Sequence, residues 1–320
     1  MGNVYIGDSN SKARKLKSAF VGIDGKARKI KKIYVGDANG KARLVWQSIV
    51  EAGSVKFTSS TTWTVPSGIK KIDIFCCGGG GGGGGSAETV TSSGLKFSDK
   101  YYYGSCGAGG YTATKLSYDV TPGQQLEITV GKGGAAGLYY YYQNNEGTIT
   151  NYGTTTTTSG ITNGGTGGTS KVVLNGTTII SANGGTGGNK NVSSYYVSGV
   201  NGGSGSSSSG SRVYDINGMT TNGDFVYYPG TEGSNGGNGS QTGFNNILGG
   251  QYKDPYVGTV GKGQGTTTKE FGESNGTLYS TAGGNSSDAQ SNTGHGGAAS
   301  TRPYPGADGI VIIRWATQEV

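Results

Sequence analysis

Histidine is almost missing from this 320-residue chain: there is one, His295. A nucleophile–His–acid site needs an imidazole in a defined setting. Here the imidazole sits inside Gly294-His295-Gly296-Gly297, which reads as a loop or packing position and not as a general base. Cysteine is scarce too. Cys76, Cys77 and Cys106 are odd in number, and two are adjacent, which excludes a disulfide framework and zinc-ligand pairs. They read as small buried residues, with a bridge from Cys76 or Cys77 to Cys106 left open. Proline, at 6 residues, is too rare for collagen, which also needs a strict Gly-X-Y period. Charged residues make up only 14%, which argues against a highly charged disordered tail. No apolar run approaches the length of a membrane-spanning helix, so membrane insertion is not expected. The opening MGNVYIGDSN lacks the charged-then-apolar pattern of a signal peptide, so the chain is expected to stay where it is made or to leave as part of a released particle.

What is abundant is glycine, 66 residues, about three times the usual share of about 7%. Positive charge is present but localised. Residues 1–50 carry eight Lys and three Arg against three Asp, a net of +8. The whole chain is +7, so the other 270 residues sum to −1. The basic character belongs to the first 50 residues alone. Basic side chains spread over short strands make a solvated face, or a surface for nucleic acid or an acidic partner. The glycine-rich part has no basic stripe to track a phosphate backbone, and no nucleic-acid partner is expected.

The basic segment is an internal repeat: VYIGDSNSKARKLK (4–17), AFVGIDGKARKIK (19–31) and IYVGDANGKARLVW (33–46). Each copy reads as a β-hairpin, an apolar strand followed by a turn and a strand after Lys-Ala-Arg. Asp24-Gly25 and Asn39-Gly40 supply the positive φ angles that tight hairpin turns require. Isolated hairpins are marginally stable, so this module is expected to lean on a neighbour or on other chains.

After the junction QSIVEAG (47–53) the composition changes. Residues 55–57, 61–65 and 69–75 read as strands bounded by turn residues, and GIVIIRW (309–315) as an apolar strand for the middle of a sheet. The first and last of these are expected to meet, making residues 78–308 an insertion between sheet strands. That insertion alternates polar stretches with glycine motifs: eight consecutive glycines at 78–85, then CGAGG (106–110), GKGGAAG (131–137), NGGTGG (163–168 and 183–188), NGGSG (201–205), NGGNG (235–239), GKGQG (261–265) and GHGGAA (294–299). Glycine alone gives neither a stable strand nor a helix. An extended helix with three residues per turn remains, and bundled copies can exchange backbone hydrogen bonds. Flexible linkers are the plainer reading of such composition. The regular return of Asn-Gly-Gly-x-Gly between segments bearing Val, Ile and Tyr weighs against it. The expected fold is therefore all-β with packed polyglycine II helices: a hairpin-repeat module over 1–50, then a β-sandwich and polyglycine-lattice domain over 51–320.

Nothing in the pattern points to a cofactor, a metal or an enzyme. Gly131-Lys132-Gly133 and Gly261-Lys262-Gly263 lack the full phosphate-loop spacing and a following helix. For binding the signal is tyrosine. Of 21, eleven fall in four runs: Tyr101, Tyr102 and Tyr103; Tyr139, Tyr140, Tyr141 and Tyr142; Tyr195 and Tyr196; Tyr227 and Tyr228. Each run sits in a polar stretch read as a loop. Tyr amid Ser, Thr, Asn and Gly is the composition of an evolved binding surface, with ring faces suited to stacking on sugars. The competing reading is that the rings form the hydrophobic lid of a glycine core.

Two stretches carry a family resemblance. VKFTSSTTWTVPSGIKKIDIFCCGGGGGGGG (55–85) is similar to the opening of glycine-rich domains in bacteriophage tail-fibre and tail-tip proteins, and PGADGIVIIRW (305–315) resembles their close. The layout resembles the tip adhesins of T-even-type long tail fibres, in which packed polyglycine helices hold receptor-contacting loops. The basic repeats depart from that pattern. The resemblance implies a receptor-binding protein in the virion that contacts a host cell-surface glycan or protein through the Tyr runs. The basic charge of residues 1–50 points to attachment to other tail or fibre proteins through that module; a homotrimer and a single chain are both compatible with the resemblance. A structural tail-decoration protein is the alternative.

Overall fold

The computed structural model of the chain describes residues 5–7, 13–15, 19–36, 40–47, 49–93, 96–151, 153–193, 196–215, 220–221, 224–226, 230–237, 240–242, 259–284, 291–300 and 302–319. These residues form strands, turns and extended segments, with two single-turn 3-10 stretches.

The three repeats form three antiparallel hairpins: β1 (Tyr5–Gly7) with β2 (Ala13–Lys15), β3 (Phe20–Ile23) with β4 (Lys26–Lys29), and β5 (Lys32–Gly36) with β6 (Ala42–Gln47). Asp24 and Gly25 both have positive φ, 51° and 69°, as a two-residue hairpin turn demands. The short pair β7 (Ile49–Val50) and β25 (Gln318–Glu319) joins the module to the C-terminus, and Lys29 Nζ meets Glu319 Oε1 at 3.0 Å.

Two four-stranded antiparallel sheets follow. The first has the order β13 (Thr112–Asp119), β10 (Lys71–Cys77), β24 (Ile310–Trp315), β8 (Gly53–Phe57). The expected meeting of the domain's first and last strands is present, with Val55 opposite Ile313, and the apolar β24 lies inside the sheet. The second sheet has the order β18 (Thr177–Ala182), β17 (Ser170–Leu174), β14 (Gln125–Thr129), β9 (Thr61–Thr64). Their facing sides share one apolar core: Ile72, Ile74 and Cys76 from β10, Leu126 and Ile128 from β14, Val172 from β17, Val311 and Ile313 from β24. The period-two pattern of these strands puts those residues on one face. The outer face of the first sheet buries Phe75, Ile310 and Ile312 beneath Phe271 and Tyr279.

Beyond Cys77 the chain leaves the sheet and enters the glycine run, where side chains stop mattering and the backbone takes over. Residues 78–85 are all buried. Each of the eight N–H groups donates to a carbonyl at 2.9 or 3.0 Å, in a strict rotation. Gly78, Gly81 and Gly84 donate to Tyr111, Ala108 and Ser105; Gly79, Gly82 and Gly85 to Gly168, Gly165 and Thr162; Gly80 and Gly83 to Ala307 and Tyr304. Three more segments donate back: Gly134 and Gly137 to the carbonyls of Gly80 and Gly83, Gly185, Gly188 and Asn191 to those of Gly79, Gly82 and Gly85, and Gly297 to that of Gly81. The register repeats every third residue, and partner numbers step by three. An extended chain with three residues per turn addresses its neighbours in this way. Residues 78–85 are thus the centre of a bundle with six surrounding segments. Glycine is required by the spacing: a Cβ on any of these eight residues would lie 1.9 to 2.1 Å from a neighbouring carbonyl oxygen.

The three cysteines are free and buried, so the open bridge does not form. Burial pushes the Cys76 thiol up to about 12 and Cys106 to about 11, and raises Cys77 as well.

Candidate functional site

The bundle has two ends. At one end its segments continue into the sandwich: 78 follows β10, 111 precedes β13, 131 follows β14, 168 precedes β17, 183 follows β18 and 309 precedes β24. At the other end, the same segments continue into a separate sheet. Gly85 leads through Ser86 into β11 (Ala87–Ser93). β12 (Lys96–Tyr102) returns through Tyr103 to Ser105, and the segment ending at Gly137 leads into β15 (Tyr140–Asn145). With β16 (Thr148–Asn151), β20 (Ser209–Asp215), β19 (Tyr196–Val197) and, off β20, β21 (Thr220–Thr221), they form a seven-stranded sheet in the order β16-β15-β11-β12-β20-β19. A further small pair joins β22 (Asp224–Val226) to β23 (Ser240–Thr242).

The bundle sets the register of this sheet. Gly137 donates to Gly83 and Tyr140 to Ser86, so β15 leaves the bundle already parallel to β11, with Ala87 opposite Tyr140. Parallel neighbours elsewhere need a long crossover, and here the glycine segments supply the alignment.

Six of the tyrosines expected in loops, Tyr101, Tyr102, Tyr140, Tyr141, Tyr142 and Tyr196, are in strands, which corrects the reading of those runs as loops. Tyr101 and Tyr102 end β12, with Tyr103 just beyond it, and Tyr140, Tyr141 and Tyr142 begin β15, with Tyr139 at its threshold. Tyr favours a pleated, half-buried surface, and the two runs lie on either side of β11. Tyr102, Ala87 and Tyr140 are opposite one another and share a face, which Lys100, Thr89 and Tyr142 extend. Tyr101, Glu88 and Tyr141 share the other face. The runs are split between faces by the two-residue period. Rings two apart pair up: Tyr140 and Tyr142 have centroids 6.5 Å apart at 8°, and Tyr101 and Tyr103 5.9 Å apart at 24°. All seven of these tyrosines are half-buried. The Tyr141 hydroxyl and Gln143 Oε1 are 3.1 Å apart. Tyr196 joins the same sheet by its backbone, opposite Gly210. Tyr195, Tyr227 and Tyr228 lie outside the described residues.

Lys100, exposed on the Tyr140–Tyr142 face, and Glu88, 8% exposed between Tyr101 and Tyr141, were not singled out from sequence. Lys100 directly precedes the first Tyr run, and that adjacency was the available signal. Glu88 had none, since β11 reads as a plain polar stretch.

His295 packs in the bundle, where its carbonyl accepts from Ala307 N and its Nδ1 meets Thr281 Oγ1. Burial pulls its pKa down to about 4, so the ring is neutral at ordinary pH. Among the described residues there is no cluster of three His, Cys, Asp or Glu that could hold a metal ion, and no helix is long and apolar enough to cross a membrane.

The fold and this sheet define a class first: an all-β protein in which two side-chain-packed sheets and a Tyr-bearing sheet stand at opposite ends of a glycine backbone core. The family model of the glycine-rich domain matches residues 55–316, from β8 to just past β24, and the chain belongs to that family. No curated protein matches the chain.

Proposed function

We propose that this chain is a receptor-binding protein of a bacteriophage tail, carried in the virion, that contacts a host cell-surface glycan or protein through its seven-stranded, Tyr-bearing sheet. The observation that carries this reading is the order of parts. β24 runs from Ile310 at the bundle to Trp315 opposite Gly53, so residues 1–50 attach at the sandwich end remote from the bundle. The Tyr-bearing sheet grows from the other end. The basic module and the tyrosine surface lie at opposite ends, which supports a division into tail attachment at one end and host contact at the other. Tyr gives large contact area with little side-chain entropy to lose, and Asn144, Asn145, Thr148 and Asn151 beside it supply adaptable hydrogen bonding.

The experiment replaces Tyr140 and Tyr142 together with Ser in the virion. Adsorption to host cells is expected to fall at least about tenfold, on the scale of lost interface anchors, with particle assembly unchanged. Unchanged adsorption would favour the second reading, a structural decoration of the tail. The mutual stacking of Tyr101 on Tyr103 supports that alternative, because such rings satisfy one another.

A further inference from the structure

The hairpin β3–β4 has an arrangement that a self-sufficient sheet does not. Every residue from Phe20 to Lys29 is exposed. Antiparallel register places Val21 opposite Arg28 and Ile23 opposite Lys26, so one face carries two β-branched side chains interleaved with two cations. Val21 and Ile23 are each 44% exposed. The other face has Phe20, 60% exposed, opposite Lys29, whose ammonium is taken by Glu319. No ion pair engages Lys26 or Arg28 among the described residues. The same pairing recurs in all three repeats, with Ile6 opposite Arg14, Val21 opposite Arg28 and Val35 opposite Arg43. Val35 is 53% exposed.

We infer that the face made by Val21, Ile23, Lys26 and Arg28 of the second hairpin docks an acidic protein surface that alternates carboxylates with apolar side chains. The inference rests on reading residues 1–50 as the attachment module and names the chemistry of what that module holds. Charge selects the occupant. The module is +8, so a second copy of it would bring like charge against like. The remaining 270 residues, at −1, offer no compensating field. Nucleic acid would engage the cations and leave Val21 and Ile23 facing phosphate and solvent. A protein surface with alternating acids and apolar groups satisfies both kinds of side chain at the repeat's own spacing.

The test uses the full chain and three immobilised probes: a random copolymer of glutamate and tyrosine, polyglutamate, and double-stranded DNA. The copolymer is expected to bind at least tenfold more tightly than polyglutamate. Val21→Ser with Ile23→Ser should remove that advantage and leave polyglutamate binding unchanged. Lys26→Glu with Arg28→Glu should weaken both by tenfold or more. All four side chains are exposed, so unchanged thermal unfolding is the control for folding. Equal binding of the two polymers, tighter binding of DNA, indifference to Lys26→Glu with Arg28→Glu, or self-association in sedimentation that Val21→Ser with Ile23→Ser abolishes would each overturn the inference. Tyr140→Ser with Tyr142→Ser should leave copolymer binding intact, so a failure of the receptor reading is seen separately, in cell adsorption.

Discussion

Ile74 and Gly82 lie a few residues apart on one chain, both buried, and they are held for opposite reasons. Ile74 is fully buried because its side chain fills the space between two sheets, where burying such a group contributes about 1.5–3 kcal/mol. Gly82 is held because it has no side chain. Its N–H reaches Gly165 O at 2.9 Å, and its carbonyl accepts from Gly188 N at 2.8 Å. In the sandwich, backbone pairing organises the sheets and side chains supply the packing. In the bundle the backbone does both. A protein with so few apolar residues can therefore have two interiors in series. The second lets segments from distant parts of the chain emerge side by side, in register, as the Tyr-bearing strands.

Alanine scanning should invert between the two regions. The largest effect is expected at Gly82→Ala, whose Cβ would lie 2.0 Å from Ala135 O, with rigid backbone on every side. A loss of more than about 3 kcal/mol, read as failure to accumulate soluble protein or a collapsed denaturation midpoint, is the expected outcome. A well-tolerated Gly82→Ala would break the comparison. In the sandwich, Ile74→Ala deletes atoms and should cost about 2–5 kcal/mol in urea unfolding.

A pH series sharpens the contrast, because His295 belongs to the bundle. Its folded pKa is about 4, against about 6.5 when unfolded. Above that unfolded value the ring is neutral in both states. As pH falls from about 6.5 towards about 4, the unfolded chain takes up the proton first, and stability drops by up to about 3 kcal/mol. The apparent melting temperature of the native chain should therefore fall further between neutral pH and about pH 4.5 than that of His295→Gln. Parallel pH profiles would mean that the ring is solvated. Smallest of all, Gly123→Ala meets no atom within 4 Å and strains only a φ of 88°, so it should cost about 1 kcal/mol, a glycine effect without the bundle's crowding.

The sequence made some of this visible and hid the rest for identifiable reasons. The second hairpin was readable because Asp24-Gly25 admits one kind of turn, and the pairing of β8 with β24 because Val55 and Phe57 alternate against an apolar partner. Which segments surround 78–85 was not readable, since glycines carry no pattern to match and six neighbours satisfy one run equally well. The same gap hid the Tyr-bearing sheet. β11 has few apolar side chains, and its register with β15 is set by Gly137 and Tyr140 bonding to Gly83 and Ser86, in the bundle and at its end. The tyrosines were therefore visible as candidates, while their split between two faces was not.

The central claim is that the glycine run is a solid interior. Amide hydrogen exchange over residues 78–85, compared with residues 71–77, tests it most directly. With every N–H of 78–85 bonded and buried, both segments should exchange at the slow, global rate. Exchange of the glycine amides within seconds, while β10 stays protected, would contradict the account and return the run to a linker.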